Sequence, residues 1–234
     1  MTFPAVAEIL WPKAVRIIRS CFPPIDLFED VADPRDWPLI IAAEQKTNPR
    51  LADAIGALDL VPPKRRVGGQ GAGYLMAPFT HASPDRPSRF SAGLPGILYV
   101  GDSFEVALAE TVFHHGRFMA QTNEPPGWAS QFREIVLTVE ARLHDLRGTP
   151  RNPSNYDDDH ALGAKLRAAG SDGVVYQSVR WPEGECAGLF YPDCARKALQ
   201  GRHLDYHWDG QRVDLYRDLK LNETHQVFRI IDEK

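Results

Sequence analysis

The stretch from Gly96 to Gly101 leaves this chain few options. Ile97, Leu98, Tyr99 and Val100 follow one another without a polar break, and a glycine stands at each end. A short apolar run with such boundaries reads as a buried strand. The period then changes. Asp102, with Glu105 three residues on, has the spacing of a capping box at a helix start. Phe104, Ala107, Leu108, Thr111 and Val112 recur at helical spacing and form one face behind it.

Other segments follow the same mixture. Glu134–Glu140 reads as a strand, and so does Gly173–Tyr176. Asp157, Asp158 and Asp159 precede a helix that ends near Gly170. Arg212–Tyr216 and Gln226–Ile231 are short strand-like pieces of the tail, and Tyr74–Phe79 is expected as a strand after the loop VGGQGAG at 67–73. Upstream of Pro62, residues 1–60 read as helical. Val15, Ile17 and Ile18 make a short apolar patch after Pro12. Asp33-Pro34 has the form of an N-cap followed by proline at the first helical position, with Trp37, Leu39, Ile40 and Ile41 behind it. Asn48-Pro49 breaks that helix, and Leu51–Leu58 reads as a second one. The expected fold class is α+β: a sheet-rich core with flanking helices over 65–234, preceded by a helical N-terminal extension over 1–64.

With 234 residues the chain fits one large domain or a domain with an appendage. A net charge of −4 gives no broad attraction to a phosphate backbone, so no nucleic-acid partner is expected. Lys64-Arg65-Arg66, beside Pro62-Pro63, reads as a solvated linker. No stretch approaches the roughly 20 apolar residues of a membrane span, and the N-terminus lacks the pattern of a signal peptide. Three widely spaced cysteines, Cys21, Cys186 and Cys194, argue against a disulfide framework and for a reducing cytoplasm.

The chemistry-bearing residues each have two readings. Glu110 falls on the flank of the helix's apolar face, as a carboxylate at a cleft edge or as a solvated one. Arg89 is an anion clamp or a surface arginine before a strand. Tyr99 is a ring for stacking on a flat ligand or a core tyrosine. His114-His115 lacks the i, i+4 spacing of a zinc helix, Cys186 and Cys194 lack CxxC spacing, and VGGQGAG lacks the lysine of a phosphate loop, so no metal site is expected.

Two stretches, 79–118 and 170–190, together resemble the RES domain family. The resemblance is carried by Arg89-Phe90-Ser91, then Leu98-Tyr99-Val100, then Ala107-Leu108-Ala109-Glu110, and later Gly173-Val174-Val175-Tyr176-Gln177-Ser178-Val179-Arg180. It spans roughly 65–215. It implies an ADP-ribosyltransferase-like fold and an NAD-consuming enzyme, with NAD as substrate and not as recycled cofactor. The implied reaction is cleavage of the nicotinamide–ribose bond by phosphate or by water, with inorganic phosphate as a possible co-substrate. Many family members are toxins silenced by a protein antitoxin, here expected to be Xre- or MbcA-like and to cover the active site. The site residues implied are Glu110, Arg89, Tyr99 and Ser178, with Arg180 as a second phosphate contact if it continues Ser178's strand.

Two departures stand out. Arg-Phe-Ser replaces the usual Arg-Trp-Asn. The family's further arginine, on the first strand of the domain, is missing from Gly73–Phe79; Arg65, Arg66, or Thr80 with His81 are the candidates to replace it. Transfer of ADP-ribose to a protein is the alternative activity. A carbohydrate-active hydrolase and a non-catalytic binding module are the readings outside the family.

Overall fold

A computed structural model describes residues 3–22, 36–44, 55–221 and 223–227. Eight strands form one sheet: β1 (Val6–Arg19), β2 (Leu98–Gly101), β3 (Trp128–Asp145), β4 (Gly173–Gln177), β5 (Glu185–Leu189), β6 (Ala195–Trp208), β7 (Val213–Asp218) and β8 (Glu223–Gln226). Among the described residues, four α-helices accompany it: α1 (Trp37–Glu44), α2 (Ala72–Thr80), α3 (Phe104–Met119) and α4 (Asp157–Ala168). The class is α+β, as expected.

The hydrogen-bonded order is β1-β2-β5-β4-β3-β6-β7-β8, and β1 pairs with β3 as well. Five strands, β1-β2-β5-β4-β3, therefore return on themselves, while β6, β7 and β8 extend from β3. The closing ladder is antiparallel and runs from Val6 opposite His144 to Arg19 opposite Phe132, with an irregularity between Trp11 and Ala14. Pro12 falls in that irregularity, where a missing N–H is tolerated. β1 meets β2 at Val15 and Gly101.

The helical reading of residues 1–60 is thus corrected over Val6–Arg19, which is a strand. The β-branched Val15, Ile17 and Ile18 favour it, and Val15 and Ile17 alternate inward. α1 agrees with the helical expectation; Asp33-Pro34, Asn48-Pro49 and the first half of Leu51–Leu58, residues 51–54, lie outside the described residues, and Leu58 begins a short 3-10 turn. Tyr74–Phe79 belongs to helix α2 and not to a strand. Ala72, Leu75, Met76 and Phe79 are buried at i, i+3, i+4 and i+7, a helical period, and Gly71, at φ +79°, supplies the left-handed turn that starts it.

The other expected strands and helices form close to their places, apart from Gln226–Ile231: β8 ends at Gln226, and residues 228–231 lie outside the described residues. At α3 the cap is Ser103, whose Oγ accepts from Val106 N at 3.4 Å. Asp102 instead accepts from Glu185 N at 2.9 Å and ties the helix start to β5. Gly163 of α4 lies so close to the Arg89 segment that a Cβ there would overlap Phe90 O, and this contact seats α4 against Arg89. No described helix is long and apolar enough to cross a membrane.

Beneath α3, His115 is 7% exposed among the rings of Phe132 (4.9 Å between centroids), Phe118 and Tyr206. Burial, with Arg19 nearby, lowers its pKa to about 4. Below pH ~6.5 the unfolded chain therefore binds a proton that the folded chain refuses. The stabilisation is complete above that pH and is lost as pH falls toward 4. Denaturant unfolding from pH 7 to 4 should show a steeper loss for the wild type than for His115→Phe, the gap growing by on the order of 1–3 kcal/mol. Parallel curves would contradict this assignment.

Candidate active site

A cavity of about 970 Å³ opens where β1, β2, α3 and the start of α4 converge. Its wall includes Arg16, Arg89, Tyr99, Glu110, His114 and Tyr156.

Glu110 projects from the middle of α3. Its Oε1 accepts a hydrogen bond from Ser178 Oγ at 2.8 Å, and the Cys186 thiol lies 3.8 Å from the same oxygen. Its Oε2 is 3.9 Å from His114 Nε2. Ser178 is 2% exposed and stands just past the end of β4, where its Oγ also accepts from Arg180 N at 3.2 Å and Trp181 N at 3.0 Å. Those two N–H groups leave the Ser178 proton to point at Glu110. Ser178 is therefore a positioning group, and it is not on the cavity wall. Burial lowers the pKa of His114; Glu110 opposes that, and Arg180, Arg117 and Arg89 add to it. Sequence reasoning weighed His114 only as a metal ligand; its i, i+4 spacing from Glu110 was the available signal.

Arg89 is 7% exposed. Its Nη1 donates to Asn152 O at 2.8 Å and to Asp159 Oδ2 at 3.1 Å, and its guanidinium lies 4.4 Å from the Tyr156 ring centre. Burial works against its charge, but Tyr176, Asp159 and Tyr156 outweigh that and raise its pKa. Tyr99 has its ring on the cavity wall and its hydroxyl committed elsewhere. The oxygen accepts from Phe90 N at 2.9 Å and the proton goes to Ser88 Oγ at 3.1 Å. Tyr99 so ties down the residues on both sides of Arg89, Phe90 by its backbone and Ser88 by its side chain. Burial pushes its pKa up to about 12.

Arg16 was missed. It sits on β1 at the cavity wall, and Nη1 reaches Tyr99 O at 3.3 Å. Burial, partly offset by Tyr99, lowers its pKa to about 10, so it stays charged at neutral pH in a place that resists the charge. A cation of this kind favours an anionic ligand that replaces its lost hydration. It went unseen because its segment was read as helix; the first strand of the sheet is β1, not Gly73–Phe79.

The residues considered as replacements for the family's further arginine are not on the cavity wall. Thr80 is buried at the end of α2, where its carbonyl accepts from Ala57 N at 2.7 Å and its Oγ1 is 3.0 Å from His81 Nδ1. Arg65 is no solvated linker residue: it pairs with Asp172 at 2.6 Å and Asp193 at 2.9 Å and lies over the Tyr191 ring. Arg66 donates to Val61 O at 3.0 Å. Arg180 does not continue the strand of Ser178, because β4 ends at Gln177. Its guanidinium lies over the Phe113 ring, donates to Pro153 O at 2.5 Å, and borders a second, smaller pocket.

The RES domain family model matches residues 63–209. The uncharacterized protein y4oC of Sinorhizobium fredii (strain NBRC 101917 / NGR234) is 28% identical over 200 residues, covering 86% of this chain and 84% of its own. A chain of the M. tuberculosis MbcT–MbcA toxin–antitoxin complex superposes with a TM-score of 0.42 at 12% identity, over 84% of this chain and 86% of that one. The family model spans well over half the chain, and with the quoted motifs in order and Arg89, Tyr99 and Glu110 on one cavity wall, the chain belongs to the RES domain family.

Proposed function

We propose that the protein degrades NAD by cleaving the nicotinamide–ribose bond, with inorganic phosphate or water as acceptor, and that it is the toxin of a bacterial toxin–antitoxin pair. The observation that carries the catalytic part is a carboxylate, Glu110, held by a buried hydroxyl on the wall of a cavity that also presents the buried Arg89 and the partly buried Arg16. Family membership supports the substrate and the toxin role.

NAD suits such a site. Its nicotinamide is already positively charged, so it leaves neutral and takes the electron pair of the C–N bond without needing a proton. Positive charge builds on the ribose as an oxocarbenium ion, as in glycoside cleavage. Glu110 supplies the opposing charge. Ser178 keeps one carboxylate oxygen fixed and leaves the other facing His114. Arg16 and Arg89 supply the cations that a pyrophosphate requires. A phosphate oxygen or water then bonds to the anomeric carbon, giving ADP-ribose 1''-phosphate or ADP-ribose. Transfer to a protein side chain is the alternative; it would leave label from NAD on protein.

Glu110→Ala should lower nicotinamide release about 10²–10³-fold while the protein stays folded. Near-wild-type turnover would remove Glu110 from the mechanism. Ser178→Ala should be milder, about tenfold, since the carboxylate remains but is less well held. Arg16→Ala should raise KM for NAD roughly 10–100-fold, the range of a charge-assisted hydrogen bond, and an unchanged KM would exclude Arg16 from substrate binding. Expression of the protein alone in bacteria should deplete cellular NAD and arrest growth, and Glu110→Ala should do neither. Unchanged growth and NAD on wild-type expression would refute the toxin role.

A further inference from the structure

Asp159 lies outside the residues assigned to bond cleavage, yet two parts of the site meet on it. It is the third residue of α4, and its side chain is 5% exposed. Oδ2 accepts from Arg89 Nη1 at 3.1 Å, and Oδ1 accepts from Arg151 Nη1 at 2.8 Å. One buried carboxylate thus faces two guanidiniums from the first turn of a helix.

The two arginines do different things. Arg151 is not on the cavity wall; its Nε turns back to Thr149 O at 3.0 Å and closes the segment that follows β3. That segment supplies Ser154, Asn155 and Tyr156 to the wall. Arg89 reaches the same segment directly, through Asn152 O at 2.8 Å and the Tyr156 ring. Its Nη1 is therefore spent on the protein. Among the described residues no hydrogen bond engages its Nε or Nη2. With the carboxylate on one edge and Tyr156 over one face, the guanidinium has one orientation in which to meet a ligand.

We propose that Asp159 is a positioning residue: it aims Arg89 at the substrate's anionic group and, through Arg151, latches residues 149–156 as a wall of the cavity. It governs affinity for a pyrophosphate-bearing substrate more than the rate of bond cleavage. The inference rests on the NAD reading for the identity of that substrate; the latch does not.

Asp159→Asn keeps the shape and removes the charge. It should raise KM for NAD about tenfold and leave kcat within about threefold. Arg151→Gln, which does not reach the cavity, should shift KM the same way by a smaller factor, and it carries the test if Asp159→Asn does not fold. Because Asp159 acts through Arg89, the double variant Asp159→Asn/Arg89→Lys should lose less than the product of the single losses. An unchanged KM, a loss confined to kcat, or losses that multiply would overturn the proposal. Were the wild type inactive on NAD, the substrate reading would fall and the latch would still be readable. Trypsin should cut after Arg151 several-fold faster in folded Asp159→Asn than in wild type, and equal rates would overturn it.

Discussion

The ladder between β1 and β3 is the constraint from which the site follows. It fixes the first strand along most of its length and returns a five-stranded path upon itself. Val15 then meets Gly101 across the narrow β1–β2 contact, and Arg16 reaches Tyr99 O. The remaining pairings set the other parts. β2 pairs with β5, which places Tyr99 opposite Gly188. β5 pairs with β4, whose end delivers Ser178 to Glu110. Without the ladder, Glu110, Tyr99 and Ser178 would still be neighbours, but the cavity would lose a wall and Arg16.

Within that frame the site is organised by what each polar group is already doing. Tyr99's hydroxyl is spent on the backbone beside Arg89, and Ser178's proton is spent on Glu110. Arg89 spends one nitrogen on Asp159 and Asn152. What faces the cavity is a carboxylate with one oxygen held by Ser178, an imidazole beside it, and the guanidiniums of Arg16 and Arg89 with limited freedom. Groups ordered before the substrate arrives need little reorganisation as charge develops. That is the physical content of assigning bond cleavage to Glu110 and substrate grip to the arginines.

Much of this was legible in the sequence, for identifiable reasons. The Gly-bounded run at Ile97–Val100 and the amphipathic pattern after Asp102 each contain their own local signal, so β2 and α3 appeared where expected. Glu110, Arg89, Tyr99 and Ser178 were found through motifs in order, and the structure brings the first three to one wall with Ser178 directly behind. The failures have separate causes. β1 pairs with a strand more than a hundred residues away, and nothing local announces such a partner; its β-branched residues were the weak clue. Tyr74–Phe79 failed the other way, since a short apolar run fits a strand until Ala72 and Phe79 are included in the period. Arg180 was placed by assuming that a strand continued, and β4 stops three residues before it. Asp159 looked like one of three acids at a helix start, and only the tertiary structure separates the buried one from its neighbours.

The most direct test of the account is a structure of Glu110→Gln with NAD bound. It should show the nicotinamide–ribose bond against residue 110 and the pyrophosphate between Arg16 and Arg89. NAD bound elsewhere, or lying in the cavity with its pyrophosphate away from both arginines, would contradict it.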